Sequence, residues 1–267
     1  MKSALALTPV YPSAHNNLAS VYEDLGQLDE AVTEYRTVIE QSPGSAEAYN
    51  NLGRALYKQA RYGEALEAVR KAIDLRPDFI EARMNLGLSY AGMGRYDEAI
   101  GEYRMITGDR PGDAKAHNNL GNAYAATGRF SDAVNAYRMA LKWEPEYSEA
   151  HYNLGLAYAN NGMLEKAAEA LKQAIRYNPG SLAAHRSLGA VYHDLGLWDK
   201  AAGEYGEVIR LDPTGADVYN DLGIAYARLN SPDQAIESFK AALRLKPDYV
   251  DARKNLKKME RLKRLEK

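Results

Sequence analysis

Eight of the ten prolines in this chain stand in one arithmetic series: Pro9, Pro43, Pro77, Pro111, Pro145, Pro179, Pro213 and Pro247, each 34 residues from the next. Proline ends a helix or a central strand, so this spacing confines the chain to repeating one short supersecondary unit. Only Pro12 and Pro232 fall outside the series. Units counted from Pro12 fill 12–45, 46–79, 80–113, 114–147, 148–181, 182–215 and 216–249 without an insertion. Residues 1–11 fit the closing positions of a preceding unit, cut short at its start. Residues 250–267 open an eighth first helix, with Asn255 and Leu256 in register.

Read by column, the unit is a helical hairpin. Position 7 is Leu in every copy, from Leu18 to Leu222, and position 11 is Tyr in all but one, where Leu56 stands. A spacing of four puts the two on one helical face. Position 8 is glycine in six copies (Gly53, Gly87, Gly121, Gly155, Gly189 and Gly223) and Ala19 in the first. Glycine inside a helix costs about 1 kcal/mol relative to Ala, a loss that close approach of a neighbouring helix offsets. Position 20 is always Ala, the small residue expected at the matching contact. Gly26, Gly94, Gly128, Gly162 and Gly196 mark the turn between the two helices. The seventh unit reads Asn230-Ser231-Pro232 there, a variant turn with Ser231 as N-cap and Pro232 as first helical residue.

These columns resemble the tetratricopeptide repeat, whose pattern is aromatic-x2-Leu-Gly-x2-Tyr followed by Ala, an aromatic, Ala and Pro. The resemblance covers nearly the whole chain. It implies an all-α fold of antiparallel helix pairs stacked into a right-handed superhelix, with the first helix of each pair lining a concave groove.

Composition narrows the function classes. Lys and Arg number 34 against 36 Asp and Glu, a balance that argues against a nucleic-acid binder. The absence of cysteine excludes disulfides, thiolate metal sites and a Cys nucleophile. No apolar run is long enough to span a membrane. His15, His117, His151 and His185 all occupy position 4 and are read as packing rings, one per repeat, too far apart to share a metal ion. His193, at position 12, faces the groove. No nucleophile elbow, zinc-protease helix or phosphate loop is present. Asp29-Glu30 and Asp97-Glu98 sit at starts of second helices, where they suit the helix dipole. The chain is read as non-catalytic, without cofactor or metal.

On this scaffold, function is expected at the groove positions 2, 5, 6, 9, 12 and 13 of the first helix. Position 6 stands out: Asn17, Asn51, Asn85, Asn119, Asn153, Ser187, Asp221 and Asn255, while positions 5 and 9 have diverged. Asn costs about 0.6 kcal/mol against Ala inside a helix, so its recurrence wants a cause. Recent duplication is one, a local structural hydrogen bond another, and a ladder of carboxamides that binds successive peptide groups of an extended chain a third. The third is similar to the asparagine ladder in the tetratricopeptide domain of O-linked N-acetylglucosamine transferases. The middle of the groove is expected to be apolar and roomy, with Met84 and Tyr152 at position 5 and Leu88, Asn122 and Leu156 at position 9. Its last third carries Arg186, His193, Asp194 and Arg228. The family's two-carboxylate clamp is disfavoured, because position 2 is mostly acidic and position 6 never carries Arg.

The leading expectation is therefore a protein-interaction module that binds an extended peptide in the groove. The alternatives are a self-assembling scaffold, associating through an exposed N-terminal edge, and the substrate-recruiting region of a larger enzyme such as a glycosyltransferase. No nucleic-acid or membrane partner is called for, and a cytoplasmic setting is the default. From Arg253 on, the chain carries eight Lys or Arg against two Glu, read as a basic helix that covers the last repeat with Leu256, Met259 and Leu262.

Overall fold

The computed structural model describes residues 11–265. The described chain is all-α: α1 (Pro12–Asp24), α2 (Leu28–Gln41), α3 (Ala46–Lys58), α4 (Tyr62–Leu75), α5 (Ile80–Gly92), α6 (Tyr96–Asp109), α7 (Ala114–Ala126), α8 (Phe130–Trp143), α9 (Ser148–Asn160), α10 (Leu164–Tyr177), α11 (Leu182–Asp194), α12 (Trp198–Leu211), α13 (Ala216–Arg228), α14 (Pro232–Leu245) and α15 (Val250–Leu265). Helices of 13 and 14 residues alternate from α1 to α14. Each second helix stops two residues short of the serial proline. The expected end of a preceding repeat, and with it the N-terminal edge, lies outside the described residues except for Tyr11.

Two compact units are formed, Met1–Arg129 with α1–α7 and Phe130–Lys267 with α8–α15. Within each, consecutive helices pack in chain order as stacked helix-turn-helix repeats. First helices also touch across repeats, α3 on α5 and α5 on α7 in one unit, α9 on α11 and α13 on α15 in the other.

The hairpin closes through one left-handed residue at position 15 of every unit. Five are the expected glycines, at φ 72 to 75°, and the remaining two are Ala60 at φ 58° and Asn230 at φ 55°. Asn230 thus takes the glycine's place in the variant turn. Ser231 does precede Pro232, the first residue of α14, but its hydroxyl makes no cap hydrogen bond. Its backbone N–H closes the turn on the Tyr226 carbonyl at 2.9 Å instead. Side-chain caps occur on first helices, where Ser45, Asp113 and Ser181 accept from the N–H three residues on.

The glycine at position 8 meets a large residue rather than the alanine alone. A Cβ on Gly53 would lie 2.3 Å from Val69 Cγ2 and 3.2 Å from the Ala65 carbonyl; on Gly87, Gly189 and Gly223 it would strike the rings of Tyr103, Tyr205 and Phe239. These position-24 side chains are fully buried, as is the alanine at position 20 in all seven units. The core is thus built from ring or branched side chains laid over a bare patch of helix backbone, the close packing that offsets the glycine's helix cost.

Position 4 has a second task. His117, His151 and His185 place Nε2 at 2.9, 2.8 and 3.2 Å from the carbonyls of Pro111, Pro145 and Pro179, six residues earlier. Arg253 donates to the Pro247 carbonyl, and Arg83 reaches that of Pro77 at 3.4 Å. A donor from the next first helix thereby satisfies a carbonyl that the proline turn leaves outside the helix ladder. Position 4 also meets the acid at position 23: His15 with Glu34, Arg83 with Glu102 at 2.8 Å, and His185 with Glu204 at 2.7 Å.

Candidate functional site

The asparagine column forms hydrogen bonds between repeats. Asn51 Nδ2 donates to Asn16 Oδ1 at 3.1 Å, Asn85 to Asn50 Oδ1 at 2.8 Å, and Asn255 to Asn220 Oδ1 at 3.0 Å. Each bond runs from position 6 of one first helix to position 5 of the first helix before it. Where position 5 is methionine the bond persists in weaker form, Asn119 Nδ2 lying 3.3 Å from Met84 Sδ. Asn17 is exposed, Asn51, Asn85, Asn119, Asn153 and Asn255 are half-buried, and so is Asp221.

Three asparagines at position 5 depart from the sequence reading, which placed that position on the open groove. Asn50, Asn118 and Asn220 are buried, with 6, 0 and 4% of their surface exposed. Consecutive first helices approach each other at these three asparagines, so their side chains are enclosed and the carboxamides must be paired, whereas Met84 and Tyr152 at the same position are half-buried and Arg186 and Lys254 are exposed. The structural hydrogen bond weighed for the column is therefore present. Each bond occupies one N–H of the position-6 carboxamide and leaves its oxygen and second N–H.

In α13 the column changes sign. Asn220 accepts from Asn255 and donates to Asp221 Oδ1 at 3.4 Å, giving a relay from α15 into a carboxylate. Burial pushes the Asp221 carboxyl above its ordinary value and Asp217 adds to this; the hydrogen bond from Asn220 and the charges of Arg186 and His193 only partly offset it. Arg186 itself pairs with Asp217.

The apolar groove residues lie half-buried on first helices: Met84 and Leu88 on α5, Tyr152 and Leu156 on α9, with Asn122 exposed on α7. Tyr152 packs against the cluster that holds Leu188 and Tyr192. A formed cleft of about 360 Å³ opens elsewhere, between α13 and α15, lined by Ile224, Ala227, Arg228, Phe239, Asn255, Lys258, Met259 and Leu262. Positions 9, 12 and 13 of consecutive units supply most of its wall, a convergence the column lists contained without singling out. Met259 and Leu256 cover Phe239 and Ile236 as expected of the basic helix, whereas Leu262 stands 43% exposed at the cleft rim.

Beside the cleft, His193 lies edge-on to Trp198 at 4.9 Å between ring centres, and the Arg228 guanidinium stands 5.4 Å from the Trp198 ring. Among the described residues no group of three or more His, Asp or Glu is placed to hold a metal ion. No described helix is long and apolar enough to cross a membrane.

Models of the tetratricopeptide repeat match residues 1–46, 16–79, 50–114 and 152–216, and further repeat models match 121–162 and 216–249. The chain belongs to the tetratricopeptide repeat family, and its repeats make it a protein-interaction module. No curated protein matches it. Among solved structures, MamA is 29% identical, with 61% of this chain and 95% of that one covered at a TM-score of 0.59. YrrB, described as a TPR protein with an unusual peptide-binding site, is 23% identical over 70% of this chain and 96% of its own, with a TM-score of 0.63. The C-terminal part of a TPR repeat-containing protein from Cytophaga hutchinsonii shares the fold at 18% identity and a TM-score of 0.70, with 90% of this chain and 98% of that one covered.

Proposed function

We propose that the first-helix face binds an extended peptide of a partner protein, with the position-6 asparagines as its polar contacts and Met84, Leu88, Asn122, Tyr152 and Leu156 beside them. The observation that carries this reading is the carboxamide pairing. One N–H of Asn51, Asn85 and Asn255 is held by the preceding repeat, which fixes the side chain while an acceptor oxygen and a second donor remain. A side chain already held loses less rotamer entropy on binding, and a donor–acceptor pair on each asparagine-bearing repeat suits the main chain of an extended ligand. The asparagine ladder of O-linked N-acetylglucosamine transferases supplies the analogy for this mode. YrrB, of the same fold, is described as carrying a peptide-binding site.

The test leaves the inter-repeat bonds intact. Peptides are selected from a phage-displayed random library on the full chain, then measured by calorimetry against a Leu88→Glu/Leu156→Glu variant. Both leucines are half-buried, so the variant should melt close to the parent. Its affinity should fall about tenfold or more, because a buried carboxylate now faces the ligand's apolar groups. Unchanged affinity contradicts the proposal.

A further inference from the structure

The cleft between α13 and α15 has a chemistry of its own. Its floor is apolar, made by Ile224, Phe239 and Met259, and two cations, Arg228 and Lys258, stand in its wall. Neither forms an ion pair with a carboxylate among the described residues. Some cations of this unit do find one, Arg186 with Asp217, Lys263 with Asp233, and Lys240 with Glu237 at 3.1 Å. Arg228 is steadied by the Trp198 ring, and Trp198 in turn by His193. Asn255, also in the wall, has one N–H tied to Asn220.

We infer that this cleft is the specificity pocket of the peptide face, and that it takes a large apolar side chain directly adjoining an Asp or Glu of the bound segment. The apolar side chain enters over Ile224 and Met259 and displaces water from the floor. The neighbouring carboxylate lies between Arg228 and Lys258, which no carboxylate among the described residues pairs with. A volume of about 360 Å³ falls in the range of small-ligand sites and accommodates a Leu- to Phe-sized group. Charge complementarity extends beyond the two cations, since α15 is strongly basic along its length. An acidic run alone would leave the apolar floor wet, and an apolar run alone would bury the cations against nothing.

This inference rests on the peptide-binding reading, and the experiment separates the two. The displayed library, whose peptides carry no free C-terminus, is selected on the full chain and in parallel on an Arg228→Glu/Lys258→Glu variant. The parent is expected to enrich peptides in which Leu, Ile, Phe or Met adjoins Asp or Glu. The variant should exchange the acid for Lys or Arg while keeping the apolar neighbour, and should bind the parent's peptides about tenfold or more weakly. Peptides enriched without the apolar–acidic pair, or selected identically by both chains, overturn this inference alone. Equal binding of an oligoglutamate control lacking any apolar residue overturns it as well. No enrichment on either chain overturns the peptide-binding reading and this inference together.

Discussion

Two residues depart from their columns at a cost to stability, one through its backbone and one through its charge. Ala60 holds the left-handed conformation that glycine holds in five other turns. A side chain there costs about 1–2 kcal/mol, against about 0.4–1 kcal/mol of unfolded-state entropy that glycine adds. Ala60→Gly should therefore raise stability by about 0.5–1 kcal/mol in urea melts. Gly196→Ala should lower it by a similar amount, since nothing lies within 4 Å of the added methyl and only the backbone conformation is at stake. Asp221 is the other. Its carboxyl titrates higher in the folded chain than unfolded, so the native state holds its proton longer. The destabilisation it causes is absent below the ordinary Asp value of about 3.9, grows as pH rises through the folded value, and is complete above it. Asp221→Asn should accordingly stabilise the chain at neutral pH and lose that advantage in acid, as read from melting temperatures across the pH range.

At the scale of the helix, the inter-repeat carboxamide bond is a coupling between neighbours. Asn85→Ala removes the donor to Asn50 Oδ1, which is buried, so stability should fall by about 1–3 kcal/mol. Asn50→Ala and Asn85→Ala combined should cost less than their sum, with a coupling of about 1 kcal/mol in a double-mutant cycle; additive losses would mean that the bond does not form. The hairpins were legible in the sequence because Leu, Gly, Tyr, Ala and Pro recur at fixed positions and each has one backbone or packing reason to do so. The turn at Ala60 was not, because alanine carries no turn signal of its own. The burial of Asn50, Asn118 and Asn220 at position 5 was not legible for a different reason. Positions 5 and 6 are adjacent on the helix, and which of them is enclosed depends on how closely the next first helix approaches. A column that varies from Asn to Met, Tyr, Arg and Lys gives no sign of that approach. The proline-carbonyl latch was hidden likewise, since His and Arg perform it interchangeably at position 4.

At the scale of the whole molecule, packing within each compact unit is local: helices meet their chain neighbours, and first helices meet the first helix of the next repeat. Stability in such a chain is approximately a sum over repeats and their interfaces, and the proposed peptide mode would read a ligand one repeat at a time. In that proposal the asparagine column has a dual character, one N–H binding repeat to repeat and the remaining polar atoms serving the ligand. The most direct test is the side-chain carboxamide spectrum of the full chain labelled with 15N-asparagine, titrated with a peptide recovered by the library selection. The account expects the carboxamide signals of Asn51, Asn85, Asn119, Asn153 and Asn255 to shift on saturation, while those of the exposed Asn135 on α8 and Asn178 after α10 stay in place. Shifts confined to Asn135 and Asn178, with the ladder signals unmoved, would contradict it.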